Sequence, residues 1–141
     1  MFMEIASSLA GAIGGRPEFA NTIVTTDYEN KKKPDVLSQD YITIGICGLK
    51  IERGTLGGLE GYWLNGSEAT GSEVDAEAVI TALSPHGADF CVNMPSVIAD
   101  MLMQNFGAYS ISCKEVKYDR NMRCWSLPVT VRIKYLMTGG G

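Results

Sequence analysis

The chain has 141 residues, of which 45% are hydrophobic, enough for one domain with a real core and too apolar for a disordered tail. Its net charge of −4 leaves no basic footprint for nucleic acid, and Lys31-Lys32-Lys33 is the one basic run, read as a solvated loop tip. No stretch approaches the ~18 consecutive apolar residues of a spanning helix, and Met1 to Ile13 lacks the basic start and apolar run of a secretory leader. Four cysteines at 47, 91, 113 and 124 show no Cys-x-x-Cys spacing. With a single histidine they predict reduced, mostly packed thiols in a cytosolic setting and no structural zinc.

In chain order, Phe2, Ile5, Leu9 and Ile13 fall near helical spacing, and Gly14-Gly15 with Pro17 ends that helix. Asn21 to Tyr28 is rich in Thr, Ile and Val and reads as a strand; Glu29 to Asp40 is polar and reads as a loop. Tyr41 to Arg53 is a stronger strand. Ile42, Ile44 and Ile46 share one parity and Leu49 and Ile51 the other, so a bulge is expected at Cys47-Gly48. Gly54 to Ser72 is glycine-rich and is expected to be a long excursion or an extended hairpin, with Tyr62-Trp63-Leu64 in one arm. Those three side chains either anchor a protein interface or fold back onto the core.

Glu73 to Leu83 alternates Val74, Ala76, Ala78, Ile80 and Ala82 against Asp75, Glu77 and Thr81, the pattern of a strand with one buried face. It ends in the turn Ser84-Pro85-His86-Gly87. Ala88 to Phe106 is the main helical region, with a stripe of Val97, Ile98, Met101, Leu102 and Phe106. Pro95 leaves two possible starts: a helix capped at Asn93, or an earlier turn that kinks there. Tyr109 to Tyr135 reads as a hairpin turning at Asp119 to Arg123. Its first arm puts Tyr109, Ile111 and Cys113 on one face, and its second puts Trp125, Leu127, Val129, Val131, Ile133 and Tyr135 on one parity. The expected fold class is a single α+β domain: a small antiparallel or mixed sheet packed by two helices, with an extended loop at 54–72 and a flexible tail at 138–141.

No motif points to an enzyme. His86 precedes Cys91 by five residues, so a thiol–imidazole pair, and with it a small Cys/His-dependent hydrolase or transferase, is the rival reading from another class. Cys91, however, lies on an apolar helical segment where a cysteine most often packs. Asp75 with Glu77, and Glu115 with Asp119, are same-face carboxylates that more often keep a sheet soluble than carry protons. The glycine clusters lack the Gly-Lys-Ser/Thr of a phosphate loop. No catalytic residue, cofactor or metal ligand is assigned, and a nucleic-acid module using Lys31 to Lys33 is disfavoured by the acidic balance.

The second half of the chain carries a resemblance. A strand ending in Ala82 to Gly87 runs into a helix over Cys91 to Phe106. Then come a strand, Tyr118-Asp119, Cys124-Trp125-Ser126-Leu127, and a last alternating strand from Val129 to Met137. This order over residues 74–137 resembles the tail terminator proteins of tailed bacteriophages and phage-tail-like particles, the lambda-type fold. The resemblance implies a structural virion protein assembled in the host cytoplasm, whose copies form a homohexameric ring on the head-proximal end of the tail tube. Such a ring ends tube polymerisation and joins the neck. The partners it implies are the chain itself, the tail tube protein, neck or connector proteins and, in a contractile tail, the sheath. No membrane and no sequence-specific nucleic acid are implied. A head–tail connector or neck ring protein of the same small fold is the alternative. Tyr62, Trp63 and Leu64, with Arg120, Met122 and Arg123 at the hairpin tip, are expected to face other subunits.

Overall fold

The computed structural model describes residues 2–27, 38–54 and 71–138. Helix α1 (Phe2–Gly14) buries Ala6, Leu9 and Ile13, the i, i+3, i+7 face of its apolar spacing, and a 3-10 turn at Pro17–Phe19 then seats Phe19 in the core. Strand β1 (Ile23–Thr26) follows, then β2 (Tyr41–Gly54) and β3 (Gly71–Ser84). After helix α2 (Asp89–Asn105) come β4 (Ala108–Cys113), β5 (Lys117–Asp119) and β6 (Cys124–Thr138). All six strands form one sheet in the order β1-β2-β3-β6-β4, with β5 on the same side of β6 as β4. The fold is α+β, a small mixed sheet packed by two helices. Among the described residues only β1 with β2 is parallel; the other pairings are antiparallel.

The helices cover one face of the sheet. Ile42 and Ile44 of β2, Ala78, Ile80 and Ala82 of β3, and Leu127, Val129, Val131 and Ile133 of β6 are buried there. They meet Leu9 and Ile13 of α1 and Cys91, Met94, Ile98 and Leu102 of α2. The alanines of the central strand keep that row shallow, so both helices can rest on it. The other face is mostly polar. Among the described residues no helix is long and apolar enough to cross a membrane.

The bulge expected at Cys47-Gly48 is present. Ile46 lies opposite Ala78 and Gly48 opposite Glu77, so Cys47 is the extra residue and the strand's buried parity changes there. Of the two starts left open for helix α2, the earlier is the one found: it begins at Asp89 and runs through Pro95. The proline removes one N–H, the donor that would serve the Cys91 carbonyl, while the stripe Cys91, Met94, Ile98 and Leu102 still drives the first turn onto the sheet. Two expectations are corrected. The first arm of the C-terminal hairpin is two short strands, β4 and β5, separated at 114–116. Tyr109 does not share a buried face with Ile111 and Cys113. A register shift between Ala108 and Ser110 makes Tyr109 an extra residue, half exposed on the polar face, and Cys113 is exposed.

Candidate functional site

The turn from β3 into α2 brings Asp40, Ser84 and His86 together. The Ser84 hydroxyl is buried and donates to Asp40 Oδ1 at 2.6 Å, while the His86 backbone N–H donates to Ser84 Oγ at 3.3 Å. His86 Nδ1 lies 3.3 Å from the same Asp40 oxygen, on a largely exposed ring. A hydroxyl that gives its proton to a carboxylate rather than to the imidazole is not set up as a nucleophile. The trio instead ties the turn to the start of β2.

Cys91 does not pair with His86. Its thiol is buried and donates to the carbonyls of Ala82 (3.4 Å) and Trp125 (3.5 Å), bridging α2 to β3 and β6. Burial first, then the nearby Cys124 and Asp40, pushes the thiol up to about 11, the reverse of an activated cysteine. Two outcomes follow. Iodoacetamide at neutral pH should label the exposed Cys47 and Cys113 while Cys91 stays protected, as peptide mass mapping would show. A thiol whose folded value is raised keeps its full contribution below its ordinary value and loses it as pH rises through the folded one. Unfolding free energy should therefore fall by about 2–3 kcal/mol between roughly pH 9 and 11 in excess of the fall seen for Cys91→Ala. Equal alkaline slopes in the two proteins would show that the thiol is not held neutral by the fold.

Of the carboxylates singled out in the sequence, the polar face carries Asp75 and Glu77, and both are engaged. Asp75 accepts from the Tyr109 hydroxyl with both oxygens at 2.9 Å, and that bond is the first cause raising the phenol above its ordinary value. Glu77 lies 3.6 Å from Arg132, Glu73 2.9 Å from Lys134, and Lys50 2.9 Å from Glu52. The Lys134 ammonium also stands 5.8 Å above the Tyr109 ring. Exposed pairs of this kind add little stability each, but they keep the surface wetted and set cross-strand neighbours. Asp119 accepts from the backbone N–H groups of Asn121 and Met122 and so shapes the β5–β6 turn; Glu115 is simply exposed.

At that turn Arg120 and Arg123 are exposed, and Arg123 holds a positive φ of 53°. Met122 does not point outward as expected. It packs partly buried against Leu83 and Cys124, because a methionine beside two buried apolar groups gains by covering them. Tyr62, Trp63 and Leu64 lie outside the described residues, as do Lys31 to Lys33 and residues 139–141.

A feature that single-sequence reading missed lies at the opposite end of the sheet from this turn. β1 reaches only Tyr41 to Ile44 of β2, and β4 only Val129 to Ile133 of β6. The three central strands run on together, from Leu49, Ala76 and Ile133 in register to Gly54, Gly71 and Thr138. This three-stranded ribbon is roughly 17 Å long by the usual rise per residue. Its outer edges, β2 from Leu49 and β6 from Tyr135, pair with no strand among the described residues. It also exposes two large apolar side chains, Ile51 at 48% and Leu136 at 57%. Beside it a mostly apolar groove of about 470 Å³ opens between Ile5 of α1, Phe106 after α2, and Ile133 and Tyr135 of β6. Among the described residues no group of three or more His, Cys, Asp or Glu side chains is placed to hold a metal ion.

No protein-family model matches the chain, and no curated protein matches it significantly in sequence.

Proposed function

We propose that the chain is a structural virion protein, a tail terminator whose copies form a ring, hexameric by the resemblance, at the head-proximal end of a tail tube. What supports this reading most is the ribbon of β2, β3 and β6. It carries two backbone edges and exposed Ile51 and Leu136 beyond the helix-covered core. A subunit that gives surface to neighbours on both sides can use such edges, and strand addition at an open sheet edge is a recurring way for one chain to extend another. The bonded carboxylates and the packed Cys91 thiol fit a scaffold better than a reaction centre.

The test is to mix the purified chain with tail tube from the same particle and examine tube ends by negative-stain microscopy. Capped ends and tubes that no longer elongate are the expected result. A chain that ignores tube and binds portal complexes would replace the terminator with a connector, and one that ignores both would overturn the virion reading.

A further inference from the structure

We propose that the β6 edge of the ribbon in one copy pairs, in parallel, with the β2 edge of the ribbon in the next, so that the sheet continues from subunit to subunit. The proposal names the interface of the ring and rests on the previous reading only for ring closure; the pairing itself can be tested without any tail component.

The backbone directions carry it. The Lys134 N–H points away from β3, since it donates to Gly107 O at 3.1 Å, and strand alternation gives Leu136 the same outward N–H and C=O two residues further on. On the other side Ile44 points outward, as its carbonyl accepts from Asp27 N–H at 2.9 Å, and the bulge at Cys47 shifts the outward set to Leu49, Ile51 and Arg53. Each edge therefore offers donors and acceptors at the two-residue spacing that a parallel neighbour requires.

The pleat agrees. Leu136 lies on the polar face, in register with Glu73 and, one strand further, with Glu52. A parallel β6–β2 contact that sets Leu136 beside Glu52 or Lys50 of the next copy puts polar-face residues next to polar-face residues. With Glu52 opposite Leu136 the half-exposed Ile51 also comes beside Tyr135 on the helix-covered face, and with Lys50 opposite Leu136 it is Leu49 that does. The direction follows from the chain, since β2 and β6 both run towards the Gly54–Thr138 end, and copies related by rotation about an axis along the strands meet with these two strands parallel. A two-fold contact would use one edge twice and leave the other open. The head-to-tail contact uses both edges of every copy, and such contacts make rings where the rotation between copies closes and open filaments where it does not. An uncharged run such as Tyr135-Leu136 on an open edge is otherwise an aggregation hazard, which a neighbouring copy removes.

The experiment has two arms on the full chain. Leu136→Pro removes an N–H that β3 does not use, so the circular dichroism spectrum should be retained while native mass spectrometry shows the oligomer reduced to single chains. The second arm joins Leu136→Cys with Glu52→Cys, or with Lys50→Cys, in a Cys47→Ser/Cys113→Ser background. Within one chain residues 136 and 52 flank β3 two strand spacings apart, about 9–10 Å, too far for a disulfide, so any bond formed links copies. Oxidation should give a ladder of linked chains from at least one of the double-cysteine pairs, and none from Leu136→Cys alone. A wild-type chain that stays single at its highest soluble concentration, an oligomer indifferent to Leu136→Pro, or linked dimers from Leu136→Cys alone would each overturn the pairing. Linked rings that do not cap tail tube would leave the pairing standing and remove the terminator reading. Tube capping without a ladder would do the reverse.

Discussion

Ile80→Ala should lower the unfolding free energy by about 3–4 kcal/mol and the thermal midpoint by roughly 10 °C. Ile80 is fully buried on the central strand, between Ile44 of β2 and Val129 of β6, and it belongs to the cluster on which both helices rest. Truncating it removes apolar contact on every side. The sheet below is fixed by its ladder and the helices above by neighbouring contacts, so the cavity cannot close fully. Ile51→Ala is the internal control, because Ile51 is the same residue type on the same sheet but half exposed on the ribbon. In the single chain it should cost less than about 1 kcal/mol. Urea denaturation of the two variants under conditions that keep the chain single checks the contrast. Similar losses at both positions would mean that the ribbon belongs to the same cooperative core, and that it is not surface held in reserve for a neighbour. In the assembled oligomer Ile51→Ala should instead weaken association where Leu136 stands opposite Glu52, since Tyr135 of the neighbouring copy then lies beside it.

How much of this was legible in the sequence depends on how far each feature reaches along the chain. The bulge was legible because a switch of parity between Ile46 and Leu49 is a local signal. The buried faces of β3 and β6 were legible because alternation repeats over ten or more residues. Helix α2 was legible but its start was not. Pro95 acts on one hydrogen bond, and whether a helix tolerates that loss is decided by what Cys91 and Met94 gain from β3 and β6, elements far off in sequence. The division of the first hairpin arm into β4 and β5 was hidden for the same reason, since both strands exist only as partners of β6.

The candidate site was less legible still. That His86 turns to Asp40 and not to Cys91 depends on a contact across 46 residues, and that the Cys91 thiol is occupied depends on the carbonyls of Ala82 and Trp125. The ribbon is a difference of strand lengths: β2, β3 and β6 outrun β1 and β4. Each strand could be read by itself, but which edges remain open is a property of the register of all five together.

Gly107→Ala should cost about 3 kcal/mol, whereas Gly11→Ala should raise stability by about 0.5–1 kcal/mol. Both substitutions add one methyl group at a glycine beside or within a helix, and the difference lies in backbone and surroundings. Gly11 is an exposed position of α1, with no atom within 4 Å of where a Cβ would stand. Alanine there only removes freedom from the unfolded chain. Gly107 follows the Phe106 cap of α2 with φ of +67°, which L-residues adopt at a cost of about 1–2 kcal/mol. Its Cβ would also collide with the carbonyl oxygen of Lys134. Relief requires β6 and the end of α2 to part, which strains the bond from Lys134 N–H to Gly107 O, a further loss of about 1 kcal/mol. Urea midpoints for the two variants should therefore move in opposite directions, and a neutral Gly107→Ala would show that this junction yields easily. Among the described residues the same junction is where the outer edge of β6 stops being covered, since Gly107 is the last of them to bond it. A Gly107→Ala chain that remains folded should then have a displaced ribbon edge, and its association should weaken by more than its stability falls.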